Sequence, residues 1–88
     1  MDFKVLKEEK GGYKKAEVLT KVEAYTMLLM KVQAGQADRI TALAELETIG
    51  NMELTRESTG FFSSKGFSVQ DTEEYLATLE EEINKNIR

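Results

Sequence analysis

A chain of 88 residues with no cysteine and no histidine excludes disulfides, thiolate metal sites and every mechanism that needs an imidazole. Its net charge of −4 argues against a dedicated nucleic-acid binder, which carries a basic footprint. This length leaves room for one small domain, residues 1–88, with a thin stability margin, and 41% hydrophobic with 32% charged residues suits soluble helices.

The N-terminal region opens with Asp2-Phe3-Lys4-Val5-Leu6-Lys7, in which Phe3 and Val5 alternate with polar positions. It forms either a short extended segment or a frayed lead-in. Gly11-Gly12 breaks it. A first helix is predicted over 14–34. Val18, Val22, Tyr25, Leu29 and Val32 step four, three, four and three, the spacing of a heptad seam. Leu19, Met27, Leu28 and Met30 fall off that stripe and widen the face expected to be buried, so this helix should touch more than one neighbour. Gly35 is its stop signal.

Asp38 is the expected N-cap of a second helix, 38–50, with Ile40, Leu43, Ala44, Leu46 and Ile49 on its apolar side. Gly50 is a weak point; if it is tolerated, the helix runs to 57. Residues 58–67 contain two glycines and three serines and read as a loop. Its aromatics, Phe61, Phe62 and Phe67, either plug the end of a bundle or form, with Lys65, an exposed patch for a partner or a membrane. Ser68 then opens a third helix, 69–87. Ser68 and Asp71 have capping-box spacing, and Glu73 and Glu74 place negative charge where the helix dipole favours it. Val69, Thr72, Leu76, Leu79 and Ile83 step three, four, three and four. The fold class is all-α: a helical bundle or coiled-coil-like hairpin of about three helices.

One phrase occurs twice. Residues 12–25 and 66–79 align without gaps, so that Gly12 meets Gly66, Tyr13 meets Phe67, Glu17 meets Asp71, Val18 meets Thr72 and Val22 meets Leu76. Each copy enters a helix, which makes a repeated helix-entry device the organising unit. An up-down-up arrangement would set the two entered helices parallel, pairing the copies within one chain. The other possibility is pairing with the matching copy in a second chain.

The stretch from Gly66-Phe67 through Asp71-Thr72-Glu73-Glu74-Tyr75-Leu76 resembles the signature of DivIVA/GpsB-type proteins: a Gly-Tyr pair, a short polar stretch, then Glu-Val-Asp-x-Phe-Leu entering a coiled coil. The first copy is similar at Gly12-Tyr13, Glu17-Val18 and Val22, and departs at Leu19 and Lys21. The resemblance implies a cytoplasmic scaffold of cell division or polar growth, built as a parallel coiled-coil pair with crossed entry loops. It implies that Tyr13 and Phe67 pack where loop meets helix, that Glu73 holds an acidic position used to bind partner tails, and that Tyr75 lies in the paired helix. The companion acid is replaced by Ala77. The position of the membrane-inserting aromatic falls on Ser64 and Lys10, leaving Phe61 and Phe62 as substitutes.

Catalytic chemistry is absent from the sequence. Ser63-Ser64-Lys65 has no partner base pattern, Glu80-Glu81-Glu82 point to different helix faces, and neither glycine pair has P-loop spacing. The expectation is a non-enzymatic protein without cofactor or metal. The N-terminus shows no apolar run of signal-peptide length, which predicts a cytoplasmic location, with membrane contact at most peripheral. Three functional classes remain. One is a scaffold or adaptor that associates with itself, as a homodimer or higher, or with another helical protein through Tyr13, Val18, Val22, Tyr25, Leu29, Phe67, Thr72, Glu73, Tyr75, Leu76, Leu79 and Ile83. Another is a membrane-surface binder using Lys4, Lys7, Lys10, Lys14 and Lys15 with Phe61 and Phe62. The last is a small helical protein–protein module of unrelated, phage or regulatory, lineage.

Overall fold

The computed structural model describes residues 6–61 and 63–87; Phe3, Val5 and Phe62 lie outside them. Helix α1 spans Lys15–Gln33. Its N-cap, Lys14, has no side-chain acceptor to offer, so the cap comes from elsewhere: the Lys14 N–H donates to the Thr55 carbonyl at 2.9 Å. Gly35, at φ +70°, turns the chain after α1 in a conformation that side chains resist. Helix α2 spans Arg39–Gly50 and starts on Asp38, whose carboxylate accepts the Thr41 N–H at 2.8 Å. That backbone bond is the main reason the Asp38 carboxyl sits below its usual range. The helix stops at Gly50 and does not continue to 57. Helix α3 spans Val69–Asn86, with the Ser68 hydroxyl accepting the Asp71 N–H at 3.2 Å.

Three helices are therefore present, but the chain is not purely helical. Strands β1 (Glu8–Lys10) and β2 (Lys65–Phe67) pair antiparallel, with Glu8 opposite Phe67, Glu9 opposite Gly66 and Lys10 opposite Lys65. This corrects the reading of 58–67 as loop throughout: residues 65–67 are a strand. It also selects the extended alternative for the segment ahead of Gly11. Three-residue strands carry too little periodicity to register locally; each exists because its distant partner satisfies its backbone.

The helices run up, down and up. Lys21 reaches the C-terminal end of α2 while Lys31 meets Glu45 further back, so α2 opposes α1. Tyr13 bonds Glu73 and Tyr25 bonds Glu80, so α3 runs parallel to α1. Helix α1 is the axis, packing against both others. The two parallel helices share one register. Val18, Lys21, Val22, Tyr25 and Leu29 are buried on α1, and Thr72, Tyr75, Leu76, Leu79 and Ile83 are buried on α3. Each of the second set lies 54 residues after its counterpart, the same interval as Gly66 after Gly12 (66 − 12 = 54). Each buried aliphatic in this seam contributes roughly 1.5–3 kcal/mol before entropy is counted.

Two polar residues inside the core have different standing. Lys21 is buried, and its ammonium donates to the carbonyls of Gly50 at 3.3 Å and Met52 at 2.9 Å. It thereby caps the end of α2, where positive charge is favoured. Thr72 is fully buried and its hydroxyl finds no hydrogen-bond partner. The matching position in the first copy is Val18, so the site asks for a β-branched shape and the hydroxyl is a cost of about 1–3 kcal/mol.

Candidate interaction surface

The two Gly-aromatic pairs meet each other. Tyr13 and Phe67 exchange both backbone hydrogen bonds, each 2.9 Å long, as one rung of an antiparallel ladder. On its other edge Phe67 faces Glu8, and on its other edge Tyr13 faces Arg56. The rung reads Glu8, Phe67, Tyr13, Arg56, with a local two-fold axis between the aromatics. Gly12 and Gly66 let the backbones touch at that axis. A Cβ built on Gly12 would run into the Phe67 carbonyl oxygen, and one on Gly66 into that of Tyr13. Neither glycine has positive φ, so space rather than conformation is what demands it.

The segments ahead of each copy cross over. The Lys7 N–H donates to Asp71 at 3.2 Å and its carbonyl accepts the Ser68 N–H at 2.6 Å, tying the first strap to the entry of α3. Thr55 makes the mirror pair at α1: its N–H donates to Glu17 at 2.6 Å and its carbonyl accepts from Lys14. The Thr55 backbone and hydroxyl, in that order, hold the Glu17 carboxyl below its usual range. Glu17 and Asp71 are again 54 apart, but the straps are closer together (55 − 7 = 48). The second copy thus has six extra residues (54 − 48 = 6) between strap and strand. They include Phe61, 96% exposed.

The seam residues named from the sequence are brought together, within one chain. Val18, Val22, Tyr25, Leu29, Thr72, Tyr75, Leu76, Leu79 and Ile83 are buried in the core. Tyr13 and Phe67 are half-buried against it, and the Lys15 ammonium lies 5.6 Å from the Phe67 ring centre. Lys15 also pairs with Glu8 and, chiefly through that bond, lowers the Glu8 carboxyl. Glu73 is exposed and accepts the Tyr13 hydroxyl at 2.5 Å, which pushes that phenol up. The Tyr25 phenol is also pushed up, by burial first and by its 2.5 Å bond to Glu80 second. The aromatics of 58–67 part company: Phe67 packs on the core, Phe61 projects outward and Lys65 is exposed in β2.

The expectation that Leu19, Met27 and Met30 widen the buried face is wrong; they are 45%, 54% and 63% exposed. Leu28 alone of the off-stripe residues is buried, under α2. Ile40, expected on the apolar side of α2, is 81% exposed, and Leu43 is also exposed; the inner face is Ala42 and Ile49. Leu19, Glu23, Met27 and Met30 follow steps of four, four and three, one outward stripe on α1. The matching positions on α3, 54 residues on, are Glu73, Ala77, Glu81 and Asn84. The same structural face is apolar in one copy and mostly polar in the other. Sequence reasoning passed over this stripe because Leu and Met look like core until the direction of α2 is known.

What the elements define is a small, mostly helical domain with a two-stranded sheet, built on an internal two-fold. No family model matches the chain, and no curated protein or solved structure is significantly similar to it. Among the described residues, no helix is long and apolar enough to cross a membrane, and no three His, Cys, Asp or Glu side chains are grouped to hold a metal ion.

Proposed function

We propose that this protein is a non-enzymatic interaction module, a scaffold or adaptor of the DivIVA kind in which the coiled-coil pair is made by one chain. The observation that carries the reading is the rung Glu8, Phe67, Tyr13, Arg56, from which two helices of identical register leave in parallel. Crossed straps and a parallel pair are what the resemblance implies for two chains. Here Val18, Val22, Leu76 and Leu79 are already covered by their own chain, so further contacts fall to surfaces outside the seam. Partner binding, rather than catalysis, is the use such a rigid rod suits.

A membrane-surface role is the second reading, favoured by exposed Phe61 on the connector ahead of the strand that carries Lys65, with Lys10 opposite Lys65. Co-sedimentation with anionic vesicles at low salt separates the two. The module reading expects the protein in the supernatant. Pelleting that is lost in Phe61→Ser would overturn it in favour of the membrane.

A further inference from the structure

The outward stripe of α1 borders two hollows. One, of about 240 Å³, is lined by Ala16, Thr20 and Met52, with Glu17 and Glu53 at its edge. The other, of about 290 Å³, is lined by Ala24, Met27, Leu28, Thr48 and Ile49, and the Lys31–Glu45 pair also lines it. Thr20 and Met27 are seven residues apart, so the hollows follow one another along α1 by about 10 Å. Together they make an apolar furrow between α1 and the α2–strap layer. Glu17, Glu23, Glu45 and Glu53 flank it, against the single base Lys31, which already meets Glu45 at 3.7 Å.

We propose that this furrow docks a basic amphipathic helix of a partner protein, with apolar residues seven apart entering the two hollows and Lys or Arg meeting the acidic rim. The proposal rests on the reading of the chain as an interaction module and names the class of partner. A second copy is a poor occupant, because it would bring the same acidic rim from a chain of net charge −4. A helix is favoured over an extended strand because the hollows repeat at the two-turn interval of a helix face. The equivalent face of α3 supplies a control inside the molecule. Its Glu73, Glu81 and Asn84 stand where α1 has Leu19, Met27 and Met30, so it offers acid without an apolar floor.

The probe is a synthetic amphipathic peptide with leucines at positions one, four, eight and eleven and lysines elsewhere on its flanks, beside a version with every lysine changed to glutamate. Each is titrated into the isotope-labelled full chain, and amide shifts are followed by NMR. The lysine peptide is expected to shift Thr20, Ala24, Met27 and Thr48, and to bind at least tenfold tighter than the glutamate peptide. Met27→Lys should weaken binding at least tenfold, while Glu81→Lys, at the matched position of α3, changes it less than twofold. Both residues are exposed, and circular dichroism confirms that the variants stay folded. No shift with 1 mM lysine peptide overturns the furrow, as does equal weakening by the two variants, which would mean that negative charge alone attracts the probe. Binding centred on α3 overturns the furrow while leaving the module reading standing, and that reading fails separately, on the vesicle measurement.

Discussion

Gly66→Ala is expected to cost about 4 kcal/mol of folding stability, enough to leave a large unfolded fraction at 37 °C. The methyl group would enter space held by the Tyr13 and Gly12 carbonyls. Those are backbone atoms, so no side-chain rotation relieves the clash. Opening the gap would cost the overpacking strain of roughly 1–3 kcal/mol. It would also break the two reciprocal Tyr13–Phe67 bonds, worth about 1 kcal/mol each. A chain of this length has only about 4–13 kcal/mol in hand. Gly12→Ala meets the Phe67 carbonyl and should behave alike. Gly60→Ala is the control, since its nearest neighbour is the mobile end of Ser58 at 3.6 Å. Urea midpoints measure the outcome; equal midpoints for Gly66→Ala and Gly60→Ala would show that the two backbones do not touch.

Leu76→Asp should abolish the fold outright. Leu76 is 5% exposed in the seam, and its counterpart Val22 is buried to the same degree. The substitution removes a buried aliphatic, worth about 2–5 kcal/mol, and places a carboxylate where no cation reaches it. The second term alone exceeds the margin unless the acid stays protonated. Val22→Asp attacks the same layer from the other helix. Met30→Asp, on the exposed stripe, should leave the helical signal and the melt unchanged. A native melt for Leu76→Asp would remove the seam from the account of what holds the chain together.

Much of this architecture was legible in the sequence because helix registers are local. The three-four stepping of Val18 to Val32 and of Thr72 to Ile83 picks out the seam without knowledge of any partner. Gly50 marks the end of α2 and Ser68 the start of α3 for equally local reasons. The sheet was not legible. Lys65–Phe67 is a strand only because Glu8–Lys10 and Tyr13 lie against it, and those contacts span more than 50 residues of chain. Leu19, Met27 and Met30 differ from Leu28 in nothing but their angle relative to α2, which no periodicity in α1 reports. Lys21 looked like a departure from the repeat; its role appears only when the carbonyls of Gly50 and Met52 arrive above it.

The pairing of the two copies inside one chain also sets how the molecule should respond to dilution. A seam closed by its own chain holds at any concentration, whereas a seam between chains weakens as the protein is diluted. Light scattering with gel filtration over a thousandfold concentration range, with circular dichroism on the same samples, reads this directly. A mass near 10.0 kDa throughout, with full helicity and a constant melting temperature, is the expected result. A doubled mass at high concentration that falls on dilution together with the helical signal would contradict it.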